Sequence, residues 1–226
     1  MRLMDVLPDN EVNRYNRPPA LNSDSRKKYF KVDQIIQEAI KKQAKNVESK
    51  IGLLLQYGYF KASGRFFTSK SFKLSDIKYV SKVLGVTTPA DFLEQYLDRT
   101  RQNHRILILD ICGYIEFTSA IEFFDEAAGD MVEKQMHPRK MFYVLIEQLR
   151  QKKIELPSYD KISRTITEKF HGFEKNIIQK MTETISKEQA EALEQLTELP
   201  EKHYERSLLT RLKVINQSLK PGKIKS

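Results

Sequence analysis

Apolar residues recur every three or four positions along most of the chain, which is the spacing of one face of an α-helix. The first such stretch predicts a helix from about Asp24 through Lys42. The second predicts a helix over Val47–Phe60, with Gly64 closing the connection that follows. Because the helical spacing continues through the rest of the chain, we expect an all-α fold.

Capping residues predict two short helices in the middle of the chain. Ser75 is a favourable N-cap, and Gly85 suits the position just after the last turn of that helix. Thr88 and Pro89 match the N-cap and first position of another short helix. Short helices separated by three or four residues are typical of a helix-turn-helix unit.

The second half of the chain predicts four more helices and a helical tail. The helices cover Thr100–Cys112, with Ile106, Leu109 and Ile111 facing inward, then Thr118–Glu133, a helix that Pro138 opens, and Ser158 to about Phe170. The tail carries apolar stripes at Leu193, Leu196, Leu208, Leu209, Leu212 and Ile215.

This pattern predicts four parts of the chain. Residues 1–28 lack periodicity and form a basic N-terminal arm that is ordered only if it docks. Residues 29–97 form a first helical domain and residues 98–185 a second. Residues 186–226 begin a further helical region.

Charge narrows the class of partner. The 226 residues include 39 Lys and Arg against 30 Asp and Glu, which gives a net charge of +9. Such an excess is typical of a protein that binds a polyanion. No apolar stretch is long enough for a membrane helix, and no signal peptide opens the chain, so we expect a cytoplasmic protein that does not bind a membrane.

Residues that usually carry catalysis do not cluster. The four histidines are scattered, Cys112 is the single cysteine, and no glycine-rich phosphate loop is present. Asp110, Asp125, Glu126 and Asp130 are expected on a solvated helix face. The sequence therefore predicts no enzyme activity, no metal site and no cofactor.

A first basic cluster lies on the helix that Gly85 ends. An apolar stripe, formed by Leu74, Ile77, Val80 and Leu84, faces the core in this prediction. The opposite face carries Lys73, Lys78, Tyr79 and Lys82. A helix with one packed face and one face of donors has the layout of a DNA recognition helix. An ordinary surface helix with lysines for solubility has the same pattern.

Two further basic clusters follow. The first contains Arg99, Arg101, His104 and Arg105, with two arginines at positions i and i+4, where like charges repel unless an anion lies between them. The second contains Lys153, Lys161 and Arg164 around a turn in which Ser158 caps a helix. These residues are candidates for phosphate and groove contacts, although simple solvation also explains them.

The order of these clusters resembles a known family. The motifs that carry the resemblance are Leu53–Lys61 with Gly64-Arg65-Phe66, Ile77–Val86, the pairs Arg99-Thr100, His104-Arg105 and Gly113-Tyr114, and Leu149-Arg150 with Lys153–Pro157 and Arg164. Over roughly residues 25–220 the chain resembles the N-terminal region of Tn-three-type bacterial transposases, the replicative, cointegrate-forming enzymes. It departs from the family at Ile115, where an Arg often stands, and in its lack of Trp.

The resemblance implies two successive DNA-binding domains of helix-turn-helix type, similar to centromere-protein-B modules, that bind the terminal inverted repeats of a transposon. It also implies that the Asp-Asp-Glu catalytic domain, with its divalent metal, lies outside this chain. The expected partners are double-stranded DNA and the rest of the transposase, with a homodimer formed through regions outside this chain. The expected location is the bacterial cytoplasm, at the nucleoid.

Two rival functions remain open from the sequence. A helical protein-interaction module would use its lysines for solubility and dock through the acidic stretch from Glu122 to Asp130 and the charged tail. A nuclease would need a carboxylate or histidine cluster, which the spacing of these residues does not provide.

Overall fold

The chain folds as an all-α protein, as predicted. The computed structural model describes residues 4–184, 186, 188–189, 191–192 and 194. Its helices are α1 (Asp9–Asn16), α2 (Ser23–Tyr29), α3 (Gln34–Gln43), α4 (Val47–Ser63), α5 (Leu74–Leu84), α6 (Phe92–Gln95), α7 (Asp98–Cys112), α8 (Ile121–Glu133), α9 (Pro138–Gln151) and α10 (Tyr159–Thr184). Within the described residues there is no β-strand, and the Ile115–Ile154 pair forms an isolated bridge.

Helix α4 is the centre of the first group of helices. Every residue from Ile51 to Phe60 is buried, because α2, α3, α5 and α7 pack around it. Gly52 and Gly58 allow this close approach: a Cβ at Gly52 would lie 2.3 Å from the Tyr96 ring, and one at Gly58 would lie 2.2 Å from the Phe30 ring. Both glycines therefore fix the distance between α4 and its neighbours.

Helices α8, α9 and the start of α10 bury a second set of apolar side chains. The set comprises Phe117, Phe124, Ala128, Met131, Val132, Met141, Phe142, Leu145, Ile146, Leu149, Ile154, Leu156, Ile162 and Ile166. The helix opened by Pro138 was predicted correctly, and Ile162 and Ile166 are buried on α10.

The segment between α9 and α10 connects the two groups. The Ile115 N–H donates to the Lys153 carbonyl and the Glu155 N–H to the Ile115 carbonyl, both at 3.0 Å. The Leu156 N–H donates to the Gly64 carbonyl, also at 3.0 Å. The described residues up to His171 form one compact unit, and those from Gly172 onward form a second.

Helix α7 belongs with the first group of helices. Its residues Ile108 and Leu109 lie in the same buried cluster as those of α4. The predicted boundary between residues 97 and 98 would separate α7 from these contacts.

The single helix predicted from about Asp24 through Lys42 is two helices. The Asp33 side chain accepts a hydrogen bond from the Ile36 N–H and so caps the start of α3. Helix α2 has already ended at Tyr29. Local capping by a carboxylate thus overrides an apolar pattern that runs through both helices.

The segment predicted as a basic arm is folded and docked. Val6 and Leu7 are buried, and the Met4 N–H donates to Thr167 Oγ1 at 3.1 Å. The Tyr15 hydroxyl donates to the Pro157 carbonyl at 2.9 Å. These contacts meet the condition under which the arm was expected to be ordered.

Several predicted positions differ in the structure. Helix α5 starts at Leu74, without a side-chain cap from Ser75, and Thr88-Pro89 does not open α6, which begins only at Phe92. The connection between α5 and α6 is therefore longer than the predicted three or four residues.

Two residues assigned to buried stripes are exposed instead. Leu74 and Ile106 both point outward, since α5 and α7 contact the core through Ile77, Val80, Ile108 and Leu109.

Helix α10 continues to Thr184, beyond the predicted end near Phe170. The apolar positions predicted in the tail lie outside the described residues; they are Leu193, Leu196, Leu208, Leu209, Leu212 and Ile215.

The described part of the chain contains neither a membrane-spanning helix nor a cluster of metal-ligating side chains. None of its helices combines the length and the apolar character needed to cross a bilayer. No group of three or more His, Cys, Asp or Glu side chains is arranged to hold a metal ion in that part.

Candidate nucleic-acid interface

Helix α5 is held at its first turn by a buried carboxylate. Asp76 is fully buried, and it accepts hydrogen bonds from Arg26 Nε at 2.7 Å and from the Tyr59 hydroxyl at 2.8 Å. Arg26 also donates to Ser75 Oγ at 2.9 Å. A carboxylate in the first turn interacts favourably with the helix dipole. Residues from α2 and α4 thus fix the orientation of α5.

The position of Tyr59 beside Asp76 also changes the pKa of its hydroxyl. Burial raises the pKa of Tyr59, and its hydrogen bond to Asp76 raises it further. The hydroxyl therefore keeps its proton and remains a donor at any physiological pH. None of these three residues, Arg26, Tyr59 and Asp76, was predicted from the sequence to belong to the site.

The outward face of α5 carries two lysines. Lys78 and Lys82 are exposed, at positions i and i+4, and no carboxylate of the described residues lies within ion-pair distance of either. Tyr79 is half-buried, with its ring 6.1 Å from that of Phe30. Lys73 is turned away from this face, since its Nζ donates to the Pro19 carbonyl at 3.1 Å.

The second basic cluster is divided between surface and interior. Arg99 is exposed, and Arg101 pairs with Asp98 at 3.1 Å. Arg105 donates from Nε to Glu155 at 2.7 Å and from Nη1 to Glu116 at 3.0 Å, and its Nη2 pairs with Glu155 as well. Two carboxylates therefore neutralise the Arg105 guanidinium.

The hydrogen bonds and ion pairs with Glu155 and Glu116 give Arg105 a structural role. The hydrogen bonds and charge of Glu155 and Glu116 raise the pKa of Arg105. Arg105 belongs to α7, whereas Glu155 belongs to the segment that connects the two groups of helices. Its role as a phosphate contact stays a prediction that this geometry does not favour.

His104 lies inside the protein, with 2% of its surface exposed. Its Nδ1 is 2.8 Å from the Tyr96 hydroxyl, and burial lowers the pKa of His104 to about 4. The imidazole is therefore neutral at pH 7 and buried, so the geometry argues against a phosphate contact at this residue too.

The third basic cluster surrounds the start of α10. Arg164 and Lys153 are exposed, and Lys161 is half-buried. Ser158 Oγ accepts a hydrogen bond from the Lys161 N–H at 3.3 Å, as its predicted capping role requires. Lys153 has a positive φ of 52°, at the end of α9.

The acidic stretch on α8 is mainly a solvated face. Glu122, Glu126 and Asp130 are exposed, and Asp125 pairs with Lys169 at 3.5 Å.

Cys112 is half-buried, and burial raises the pKa of its thiol, so it is less reactive than an ordinary cysteine.

Comparison of the sequence with models of known protein families gives a match. A family model described as "Domain of unknown function (DUF4158)" matches residues 6–169. The chain belongs to this family. The match begins within the docked N-terminal segment and ends within α10, so it covers nearly all of the first compact unit. No curated protein matches the sequence.

Sequence reasoning missed the long-range ion pairs that position this surface. Arg26 and Asp76 are separated by 50 residues, as are Arg105 and Glu155. Arg26 and Arg105 each fit a helix surface by spacing alone. Only an unusual carboxylate on the apolar side of α5, at Asp76, gave a local signal.

Proposed function

We propose that this chain is a sequence-specific double-stranded DNA-binding module, the N-terminal part of a Tn-three-type transposase that binds terminal inverted repeats. In this proposal α5 is a recognition helix, and Lys78 and Lys82 donate to base edges in the major groove. The chain itself does not cut or join DNA.

The observation that carries the proposal is the anchored helix α5 with two exposed lysines that have no carboxylate partner among the described residues. A groove-reading helix needs a fixed orientation, which the Arg26–Asp76–Tyr59 contacts provide. It also needs donors that no acceptor of the described part of the chain occupies, which Lys78 and Lys82 supply.

Other exposed cations would hold phosphates or form a second set of groove contacts. Arg99 and Lys153 are available for phosphates, and Lys161 and Arg164 lie at the start of α10. Phosphate contacts fix the register of a protein on the duplex without reading sequence. The net charge of +9 supports association with DNA in general.

The proposal is tested by selecting duplexes from a random pool with the full chain. We expect one enriched sequence, bound at least tenfold more tightly than random duplex at physiological salt. Lys82→Gln should lose most of that preference, because a good base contact contributes about 1–3 kcal/mol of discrimination.

Lys134→Gln is a matched control, since Lys134 is an exposed lysine at the end of α8 and outside α5. It should keep the preference for the enriched duplex. A pool without any enriched sequence, or equal effects of the two substitutions, would contradict the recognition role of α5.

A helical protein-interaction module is the second candidate function. The exposed carboxylates Glu122, Glu126 and Asp130 on α8 favour it, because they present an acidic face on a protein that is basic elsewhere. This function predicts equal binding to all duplex sequences in the same selection.

A further inference from the structure

The row of side chains that starts at the first residue of α5 combines one leucine with two lysines. Leu74, Lys78 and Lys82 are spaced i, i+4 and i+8, and all three are exposed. A step of four residues turns by only about 40° around a helix, so the three side chains form one continuous row. Leu74 therefore lies next to the lysines that are proposed above as base contacts.

Leu74 is the most exposed of the large apolar side chains in the described part of the chain. Its exposed fraction is 69%, against 3% for Ile77 and 0% for Val80, which face the core from the same helix. Single exposed leucines occur on many proteins, so exposure alone does not identify a site. The surroundings of Leu74 decide what it can contact.

The turn that carries Leu74 has a fixed geometry. The Arg26 side chain donates to Asp76 and to Ser75, the two residues that follow Leu74. The Asp76 N–H donates to the Lys73 carbonyl at 2.9 Å. Because this turn is already ordered, a contact through Leu74 does not require a loop to be ordered on binding.

The row has an apolar end and a cationic end. Lys73, the residue before Leu74, is held elsewhere, since its Nζ donates to the Pro19 carbonyl at 3.1 Å. Lys78 and Lys82 follow on the other side, and no carboxylate of the described residues lies within ion-pair distance of either. A binding surface for this row must therefore present an apolar group beside hydrogen-bond acceptors.

The floor of the DNA major groove has this combination of groups. The C5-methyl group of thymine is apolar, and O6 and N7 of guanine are acceptors to which lysine donates. The row spans about 12 Å along the helix axis, since each residue rises about 1.5 Å. At about 3.4 Å per base pair, this length corresponds to three or four base pairs.

An acidic peptide with an apolar residue would also complement the row. Further exposed cations favour duplex DNA instead, because they extend the positive charge beyond α5; they include Arg99, Lys153 and Arg164. A polyanion uses cations spread over a protein, whereas a docked peptide needs only those beside it.

We propose that Leu74 contacts the C5-methyl group of a thymine in the bound duplex, about two base pairs from a guanine contacted by Lys78. This contact rests on the proposed duplex binding by α5 and deepens it, because it assigns one base of the recognised sequence to a side chain. Leu74 then determines specificity through apolar contact, whereas the lysines do so through hydrogen bonds.

The test uses the full chain and the duplex enriched in the selection described above. Each thymine of that duplex is replaced in turn by deoxyuridine, which lacks only the C5-methyl group. We expect one replacement to weaken binding about fourfold, which is the effect of removing one methyl group from an apolar contact. All dissociation constants are measured at one salt concentration, since affinity for DNA depends on salt.

Leu74→Ala tests the assignment of that thymine. The variant should bind the thymine and deoxyuridine duplexes with affinities within about 1.5-fold of each other. A folding defect would weaken binding to both duplexes equally and would leave the fourfold ratio unchanged, so this double comparison isolates the contact.

Leu97→Ala is a matched control. Leu97 is 62% exposed and lies just before α7, outside α5. The control should keep the fourfold ratio between the two duplexes.

Different results separate the Leu74 contact from the proposed function. A pool without an enriched sequence contradicts duplex recognition and the contact together. The contact alone is overturned if the enriched duplex tolerates every deoxyuridine replacement, or if Leu74→Ala keeps the fourfold ratio. A row that serves an acidic peptide would give one of these last two results.

Discussion

The buried imidazole of His104 links the stability of the protein to pH. Folding holds its pKa at about 4, whereas an unfolded histidine titrates near 6.5. Between these values the unfolded chain binds a proton that the folded chain does not. The contribution of His104 to stability is therefore complete above pH 6.5 and is lost as the pH falls towards 4.

We predict that the free energy of unfolding falls by about 3 kcal/mol from this residue between pH 6.5 and pH 4. His104→Gln should remove close to one proton from the pH dependence in this window, whatever its effect on stability at pH 7. Urea unfolding at several pH values measures this slope. An unchanged slope in the variant would show that His104 does not titrate in this way.

Gln135 has the backbone conformation of a glycine. Its φ is 53°, just after α8, where the Met136 N–H donates to the Met131 carbonyl. This is the left-handed position that follows many helices and that costs a residue with a Cβ about 1 kcal/mol.

Gln135→Gly should therefore raise the free energy of unfolding by about 0.5–1 kcal/mol. Lys134→Gly is the control, because Lys134 has a φ of −79° and gains nothing from the change. That variant should lose stability by a similar amount. Thermal and urea unfolding of both proteins would check the opposite signs.

Among the elements, helix α7 has two arginines with different environments. Arg105 pairs with Glu155 and Glu116, whereas Arg101 pairs with Asp98, a residue whose side chain is 85% exposed. An exposed ion pair contributes little to stability, but a carboxylate left without its partner in the interior is costly.

Arg105→Met should destabilise the protein by about 2–3 kcal/mol, since it leaves Glu155 without its charge partner. Arg101→Met should change the free energy of unfolding by less than about 0.5 kcal/mol. Equilibrium unfolding of the two variants gives the comparison. Similar losses from both would mean that the Glu155 contact does not stabilise the fold.

The helices from α4 onward and several of their ends were predictable because their signals are local, whereas α1 lies in the segment predicted as an arm without periodicity. Gly64, Gly85 and Gly113 each end a helix at positive φ, and Pro138 opens α9. The break before α3 was not predicted, since the Asp33 cap competes with a continuous apolar pattern.

The candidate site was predictable only in part. Spacing placed Lys78 and Lys82 on the surface, because α5 contacts the protein through one face. It also placed His104 and Arg105 on the surface, but α7 is contacted on more than one side. Partners such as Tyr96 and Glu155 follow from the tertiary fold and not from neighbouring sequence.

At the scale of the whole molecule, the described residues up to His171 act as one compact unit. The core around α4 is completed by Ile108 and Leu109 of α7, and the Gly64 carbonyl is paired with Leu156. The first group of helices therefore depends on residues well beyond position 97.

A fragment of residues 1–97 should accordingly fail to unfold cooperatively, because it lacks α7 and exposes the buried face of α4. A fragment of residues 1–171 should show one cooperative transition. Circular dichroism during urea unfolding would compare the two. A cooperative transition in the shorter fragment would support the domain boundary predicted between residues 97 and 98.

The docking of the N-terminal segment has a consequence for protein synthesis. Met4 bonds to Thr167 through its N–H, and its carbonyl accepts from Ser163, so its partners are translated 159 to 163 residues later. At roughly 5–20 residues per second, the ribosome needs about 10–30 s to make them. Met4 therefore reaches these native contacts only after that interval, during which the neighbouring Val6 and Leu7 remain accessible to chaperones.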